Sequence, residues 1–262
     1  MESPEEESKI SMNRLFVEDS KISVNQIVVI KGDKHQKIKN VLRLKEESPL
    51  ILFNNTGYEF FGKIVRLNQN ETHVLVVDKR EVSGSSHVEI VLACCLTKGK
   101  KIEFVLEKTT ELGVAGIIPI VSERTIPRDV SSHKLERWQR ILEESSRQCG
   151  RTKVVDLGEP LGLTDFFLKY KDSDFSKLIL VEPSLSLRGE AEAIPSRSDE
   201  IGFKYLVLIG PEGGFSEGEV KQAVKEGFSP LTLGPLILRA DTAPLVIMTL
   251  LQHKLGRFSL SC

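Results

Sequence analysis

The stretch LIGPEGGFSEGEV, residues 208–220, sets an apolar run against a helix start, with Gly210-Pro211-Glu212-Gly213-Gly214 between them. Ser216 followed three residues later by Glu219 reads as a capping box, in which the serine oxygen accepts an orphan helix N–H and the glutamate reaches back. Residues 203–209 are therefore expected as a strand and residues 217–226 as a helix. The five residues between them exceed what the cap requires. Glycine allows close backbone approach and proline fixes the chain, so this loop is either a tight turn or one wall of a ligand pocket. Neither GKS/GKT nor GxGxxG is present, which argues against a phosphate cradle.

The alternation of strand and helix continues outward. VEIVLACCL (88–96), AGIIPIVS (115–122), KLILVEP (177–183) and SPLTLG (229–234) read as strands; KIEFVLEKTTELG (101–113), the amphipathic run 133–149 and the apolar run 243–255 read as helices. Continuously apolar strands alternating with helices predict a parallel sheet covered on both faces, an α/β domain. Ligands of such sheets sit beyond the carboxyl ends of the strands. Three strand-end loops, at 180–183, 210–214 and 233–242 (LGPLILRADT), are placed to line one pocket. Asp241 or Thr242 is expected to cap the last helix, with Pro244 in its first turn, where a missing N–H costs little.

Towards the N-terminus the pattern changes. From Arg14 to Val82, short β-rich runs (QIVVI, LILF, EFFGKIV, HVLVV) are separated by turn signals, and Asn54-Asn55-Thr56-Gly57 reads as a hairpin loop. This predicts a small β-barrel or compact sheet. The polar EVSGSSH places a linker at 83–87. With 262 residues, 40% hydrophobic and 28% charged, the chain is long enough for two modest domains.

Composition narrows the function. No apolar run reaches bilayer length and MESPEEESKI is acidic where a signal peptide is basic then apolar, so a cytoplasmic protein is expected. Cys94, Cys95, Cys149 and Cys262 form no CxxC pair and read as reduced thiols, the first two in a buried strand. The five histidines form no HExxH, and no metal site is expected. A net charge of −1 does not announce nucleic acid. Locally, KGDKHQKIKNVLRLK (31–45) sets six cations against Asp33 alone, which reads as a phosphate-tracking patch or as a solvated helix face. Trp138 reads as core or interface.

IGPEGGFS followed by LGPLILRADTA resembles the motif pair of the SPOUT methyltransferases, and within them the RsmE-type family that methylates N3 of a uracil in 16S ribosomal RNA. NRLFV (13–17), KNVLRL (39–44), KIEFVLEKTTELGVAGIIPIVSER (101–124) and QCGR (148–151) resemble that family in the same order. The resemblance implies a disordered acidic tail at 1–11, a PUA-like RNA-binding β-barrel over 12–82, and a SPOUT domain over 88–262 whose C-terminal segment forms a trefoil knot. It further implies a homodimer acting on 16S rRNA or the small ribosomal subunit, with S-adenosylmethionine as methyl donor, and neither membrane nor metal as partner. By motif match the cofactor contacts fall on Val181, Glu182, Ile209, Gly210, Glu212, Gly213, Leu233, Gly234, Leu238 and Thr242. RNA contacts fall on Arg14, Lys37, Arg43, Arg124 and Arg151, and by charge and position the stretch Lys98-Gly-Lys-Lys101 after the strand 88–96 is expected to contact RNA from the neighbouring subunit.

The chemistry assigns roles to three residues. Uracil N3 carries a proton at neutral pH, so a base must take it while a donor stabilises charge on the ring oxygens. Arg239 is the expected donor, because a guanidinium stays charged. Asp241 or Glu212 is the candidate base, a task that favours a raised pKa. Leu236, Asp241, Pro244 and Lys37 stand where the family usually has Arg, Glu, a small residue and His. A tRNA target, or a non-catalytic RNA-binding dimer, are the alternatives.

Overall fold

Alternating burial along the N-terminal strands shows one face turned to a core and the other to water, as antiparallel sheets allow. The computed structural model describes residues 12–82, 88–126, 129–183, 204–256 and 258. The acidic tail, the linker at 83–87 and Cys262 lie outside them. The chain divides into two compact units, Met1–Ser85 with Ser146–Val154, and Ser86–Ser145 with Val155–Cys262.

In the first unit, β1 (Arg14–Phe16), β2 (Ile27–Lys31), β3 (Pro49–Phe53), β4 (Tyr58–Leu67) and β5 (Glu71–Glu81) form one sheet in the order β1-β3-β4-β5-β2. β1 runs parallel to β3 and the other pairs are antiparallel. β2 buries Val28 and Ile30 and exposes Ile27 and Val29. The β4–β5 register shifts at Phe61/Gly62 and Ile64/Arg66, irregularities that bend the strands. The inner face packs Leu15, Leu52, Phe60, Ile64, Val74 and Val76 together. A short helix, α1 (Gly32–Gln36), runs into a π-helical turn at Lys37–Val41 and buries Ile38 and His35. His35 Nε2 donates to Gln69 O at 3.1 Å, and its Nδ1 lies 2.8 Å from the Thr72 hydroxyl.

The hairpin read at Asn54-Asn55-Thr56-Gly57 joins β3 to β4. It also receives the distant segment Ser146–Val154. Asn55 N donates to Thr152 O at 3.1 Å, and Asn55 Oδ1 accepts from Val154 N at 2.8 Å. Arg14 Nη2 donates to Arg151 O at 3.0 Å.

In the second unit, β6 (Glu89–Cys95), β7 (Gly116–Val121), β8 (Asp156–Leu157), β9 (Leu161–Gly162), β10 (Ser176–Leu180), β11 (Lys204–Ile209) and β12 (Ser229–Leu231) form a parallel sheet. The order is β12-β10-β11-β6-β7-β8, with β9 also on β7. β6 and β11 are buried along almost their whole length, as central strands covered on both faces must be. Cys94 and Cys95 lie in β6, and burial pushes the Cys95 thiol up to about 12 and the Cys94 thiol up as well.

The helices are α2 (Lys101–Glu111), α3 (Ser132–Gln148), α4 (Leu163–Tyr170), α5 (Glu217–Lys225) and α6 (Ala243–Lys254). Phe166, Phe167 and Phe228 pack edge-on or tilted around one another and anchor α4 to the sheet core. Gln252 Nε2 of α6 donates to Leu112 O just beyond α2 at 2.9 Å. Trp138 is fully buried in α3. No described helix is long and apolar enough to cross a membrane.

Asn55 adopts φ 65, a left-handed angle that glycine takes freely and other residues at a cost. Asn55→Ala loses both the tolerated conformation and the Oδ1 acceptor, whereas Asn55→Gly loses the acceptor alone. Chemical denaturation is expected to show both variants destabilised, the alanine variant by about 1 kcal/mol more than the glycine one.

Candidate functional site

Parallel pairing of β10, β11 and β12 brings their carboxyl ends to one edge, and Val181 N donates to Leu231 O at 3.0 Å to hold two of the following loops together. The loops after these strands enclose a cavity of about 310 Å³, within the size range of small-molecule sites. Ile209, Phe215, Leu233 and Leu238 supply apolar surface; Glu182, Glu212, Lys101 and Arg239 supply charge.

The glycines in the wall have steric reasons. A Cβ on Gly210 would come 3.2 Å from the Phe215 ring, and one on Gly214 would come 3.2 Å from Glu182 Oε1. Gly214 also sits at φ +63. The capping box is formed as read: Glu219 N donates to Ser216 Oγ at 3.3 Å and Ser216 N donates to Glu219 Oε2 at 2.8 Å.

Of the expected cofactor contacts, Val181, Glu182, Ile209, Gly210, Glu212, Leu233 and Leu238 line the cavity, and so does Arg239. Gly213, Gly234, Asp241 and Thr242 belong to the same loops but do not line it. Among the described residues no carboxylate pairs with Arg239, which is exposed at the rim. Asp241 Oδ1 is buried without a hydrogen-bond partner among the described residues. Thr242 occupies the N-cap of α6, with Pro244 in the first turn as expected, but neither Thr242 nor Asp241 makes the expected side-chain cap. Thr242 is already helical (φ −87, ψ −43), whereas a capping side chain needs an extended backbone.

Glu212 is held from outside the loop. Its Oε1 accepts from Lys101 Nζ at 3.0 Å and from Lys98 N at 3.3 Å. Desolvation pushes this carboxyl up, but the Lys101 ammonium and the backbone N–H groups of Glu212 and Lys98 outweigh it and hold the group below its ordinary value. That direction is the opposite of what a proton acceptor needs. Lys101, named from sequence only within the cationic stretch Lys98-Gly-Lys-Lys101, lines the cavity. Its signal was positional: it opens the helix after β6, at the same edge of the sheet.

The expected RNA contacts fall into different settings. Arg14 is largely buried, its charge met by Glu59 and its guanidinium lying over Phe53 within the first unit. Arg151 shares that cluster through its carbonyl, and its Nε donates to Lys153 O at 3.2 Å. Lys37 begins the π-helical turn and Arg43 is exposed after it, at φ 52. Leu44 N donates to Ile38 O at 3.1 Å, placing Arg43 at the helix-terminating position that glycine usually fills. Arg124, in the second unit, donates to Gly213 O from Nη1 at 2.8 Å. Among the described residues no group of three or more His, Cys, Asp or Glu is placed to hold a metal.

A parallel α/β domain with a cavity built from three strand-end loops defines a class, and residues 84–252 match the model of the RNA methyltransferase domain. Ribosomal RNA small subunit methyltransferase E of Buchnera aphidicola subsp. Acyrthosiphon pisum is 31% identical over 249 residues, 94% of each chain. That of Bacillus subtilis is 27% identical over 93% of this chain and 97% of its own. The crystal structure of the Neisseria gonorrhoeae ribosomal RNA small subunit methyltransferase E bound to S-adenosylmethionine superposes with a TM-score of 0.82 at 29% identity, over 92% of this chain and 97% of that one. A putative methyltransferase from Legionella pneumophila in complex with the same cofactor gives 0.81 at 30% identity, over 92% and 97%. The chain belongs to the ribosomal RNA small subunit methyltransferase E family.

The Lys101–Glu212 contact carries a pH signature. A carboxyl lowered in the folded state stabilises above its unfolded value, and that contribution is lost as pH falls through the folded value. In Lys101→Met the Glu212 carboxyl is expected to titrate at higher pH than in the wild type by carbon-detected NMR; an unchanged titration would show that Lys101 does not set it.

Proposed function

We propose that this protein transfers the methyl group of S-adenosylmethionine to N3 of a uracil in 16S ribosomal RNA of the small subunit. The observation that carries this reading is the cavity at the carboxyl edge of the sheet, with Arg239 in its lining, in a chain of this family. The residues present suit the donor. Ile209, Phe215 and Leu238 offer apolar surface to a purine, the glycines allow backbone groups to approach it, and Glu182 and Glu212 place negative charge near a sulfonium. Bound there, S-adenosylmethionine supplies a methyl carbon activated towards in-line attack.

The chain supplies orientation and charge. Arg239 at the rim donates to a uracil ring oxygen and stabilises the charge that grows there when N3 loses its proton. Glu212 is held ionised by Lys101 and lines the cavity, whereas Asp241, whose buried Oδ1 has no hydrogen-bond partner among the described residues, does not line it. Lys37 and Arg43 of the basic stretch hold phosphates and position the RNA, while the uracil is read on its edge once it leaves its stack. The first unit is read as a PUA-like RNA-binding barrel and the loop 233–242 as part of a trefoil knot. The protein acts as a homodimer in the cytoplasm; the 75% and 70% exposure of Leu236 and Ile237 in the single chain supports a second copy there.

Purified protein, incubated with labelled cofactor and small subunits lacking the modification, is expected to yield 3-methyluridine. Arg239→Ala is expected to lower kcat by about 100-fold or more. Label at another nucleoside, or none on any RNA, would overturn the assignment. Arg43→Gly removes both a left-handed arginine and its charge. It is expected to raise the unfolding free energy by about 1 kcal/mol while weakening RNA binding, a pairing that a purely structural arginine would not show.

A further inference from the structure

The turn that follows β7 closes on itself. Ser122 N donates to Thr125 Oγ1 at 2.9 Å, the two hydroxyls lie 2.8 Å apart, and Thr125 N donates to Ser122 O at 3.2 Å. Both hydroxyl-bearing residues are buried, which makes this turn a stiff platform. Two bonds leave it, one for the loop that walls the cavity and one for the first turn of α5. Arg124 Nη1 donates to Gly213 O at 2.8 Å, and Glu123 N donates to Glu219 Oε1 at 2.8 Å.

Glu219 therefore does more than a capping box requires. Its Oε2 accepts from Ser216 N within the box, while its Oε1 accepts from the neighbouring turn. The stretch 213–216 is fastened at both ends to one external support. Gly214 and Phe215 within it, and Gly210 and Glu212 just before it, line the cavity. A wall containing two successive glycines has large conformational freedom, and any ligand that orders it on binding loses affinity to that entropy.

We propose that Arg124 and Glu219 are positioning residues for the cofactor: together they preset the wall at 213–216 for binding, and Arg124 acts through Gly213 rather than through RNA phosphate. This rests on the reading that the cavity takes S-adenosylmethionine. Arg124→Ala removes the bond to Gly213. Glu219→Gln leaves one acceptor oxygen where two are used, and it removes no cation.

The experiment is calorimetric titration of the full-length wild type, Arg124→Ala, Arg124→Lys and Glu219→Gln with S-adenosylmethionine, alongside RNA binding at several salt concentrations and the melting temperature of each. Loss of the strut and loss of the carboxylate tie are each expected to raise the cofactor Kd about tenfold, the effect of one hydrogen bond to a charged group. RNA affinity and its salt slope are expected to stay unchanged. Arg124→Lys is expected to recover part of the loss, and turnover is expected to show the defect in the cofactor KM with kcat largely kept. Arg124→Ala with normal cofactor affinity and a reduced RNA salt slope would overturn the clamp and make Arg124 a phosphate contact. Normal cofactor affinity in Glu219→Gln would also overturn it. A wild type that fails to bind S-adenosylmethionine would remove the reading of the cavity itself, a result separate from either of these.

Discussion

Everything at the site depends on β11 pairing in parallel with β6 on one side and β10 on the other. A parallel strand cannot return through a tight hairpin, so neighbouring parallel strands leave the sheet at the same edge and come back by a crossover. The carboxyl ends of β10, β11 and β12 therefore deliver their loops to one place. Because both faces of the sheet are covered, that edge is where a ligand reaches the ends of the central strands.

The loop after β11 is short of side chains that could hold its own shape. It is shaped by its surroundings: Lys98 and Lys101 hold Glu212, Arg124 holds Gly213, and Glu123 holds the helix cap. Glycine there is a consequence of crowding on one side, at Phe215 and Glu182, and of open space for a ligand on the other. The charged groups divide similarly. Glu212 is committed to lysine, whereas Arg239 stands at the rim with no carboxylate partner among the described residues.

Much of this was legible in the residues because it is local. The capping box at Ser216, the hairpin at Asn54-Gly57 and the buried run of β6 depend on spacing within a few positions, and all three form as read. What the spacing does not carry is set by distant neighbours. Arg14 takes its partners, Glu59 and the carbonyl of Arg151, from 45 and 137 positions away. The missing cap at Thr242 reflects a backbone angle fixed by the turn from Arg239, whose carbonyl accepts from both Thr242 N and Ala243 N. Lys101, expected near RNA, is brought to Glu212 by the order of strands in the sheet.

The segment Ser146–Val154 belongs to the first unit although most of the second unit's first half precedes it in the chain. Its bonds to Asn55 span up to 99 positions, and its bond to Arg14 spans 137. On a ribosome, where a chain emerges at about 5–20 residues per second, the N-terminal sheet is thus exposed for several seconds before its last piece is made. During that interval the left-handed hairpin at Asn55 and the buried guanidinium of Arg14 lack partners they will later have. The order of synthesis makes completion of the smaller unit wait on translation through β6, β7 and α3, and it precedes synthesis of β8 to β12.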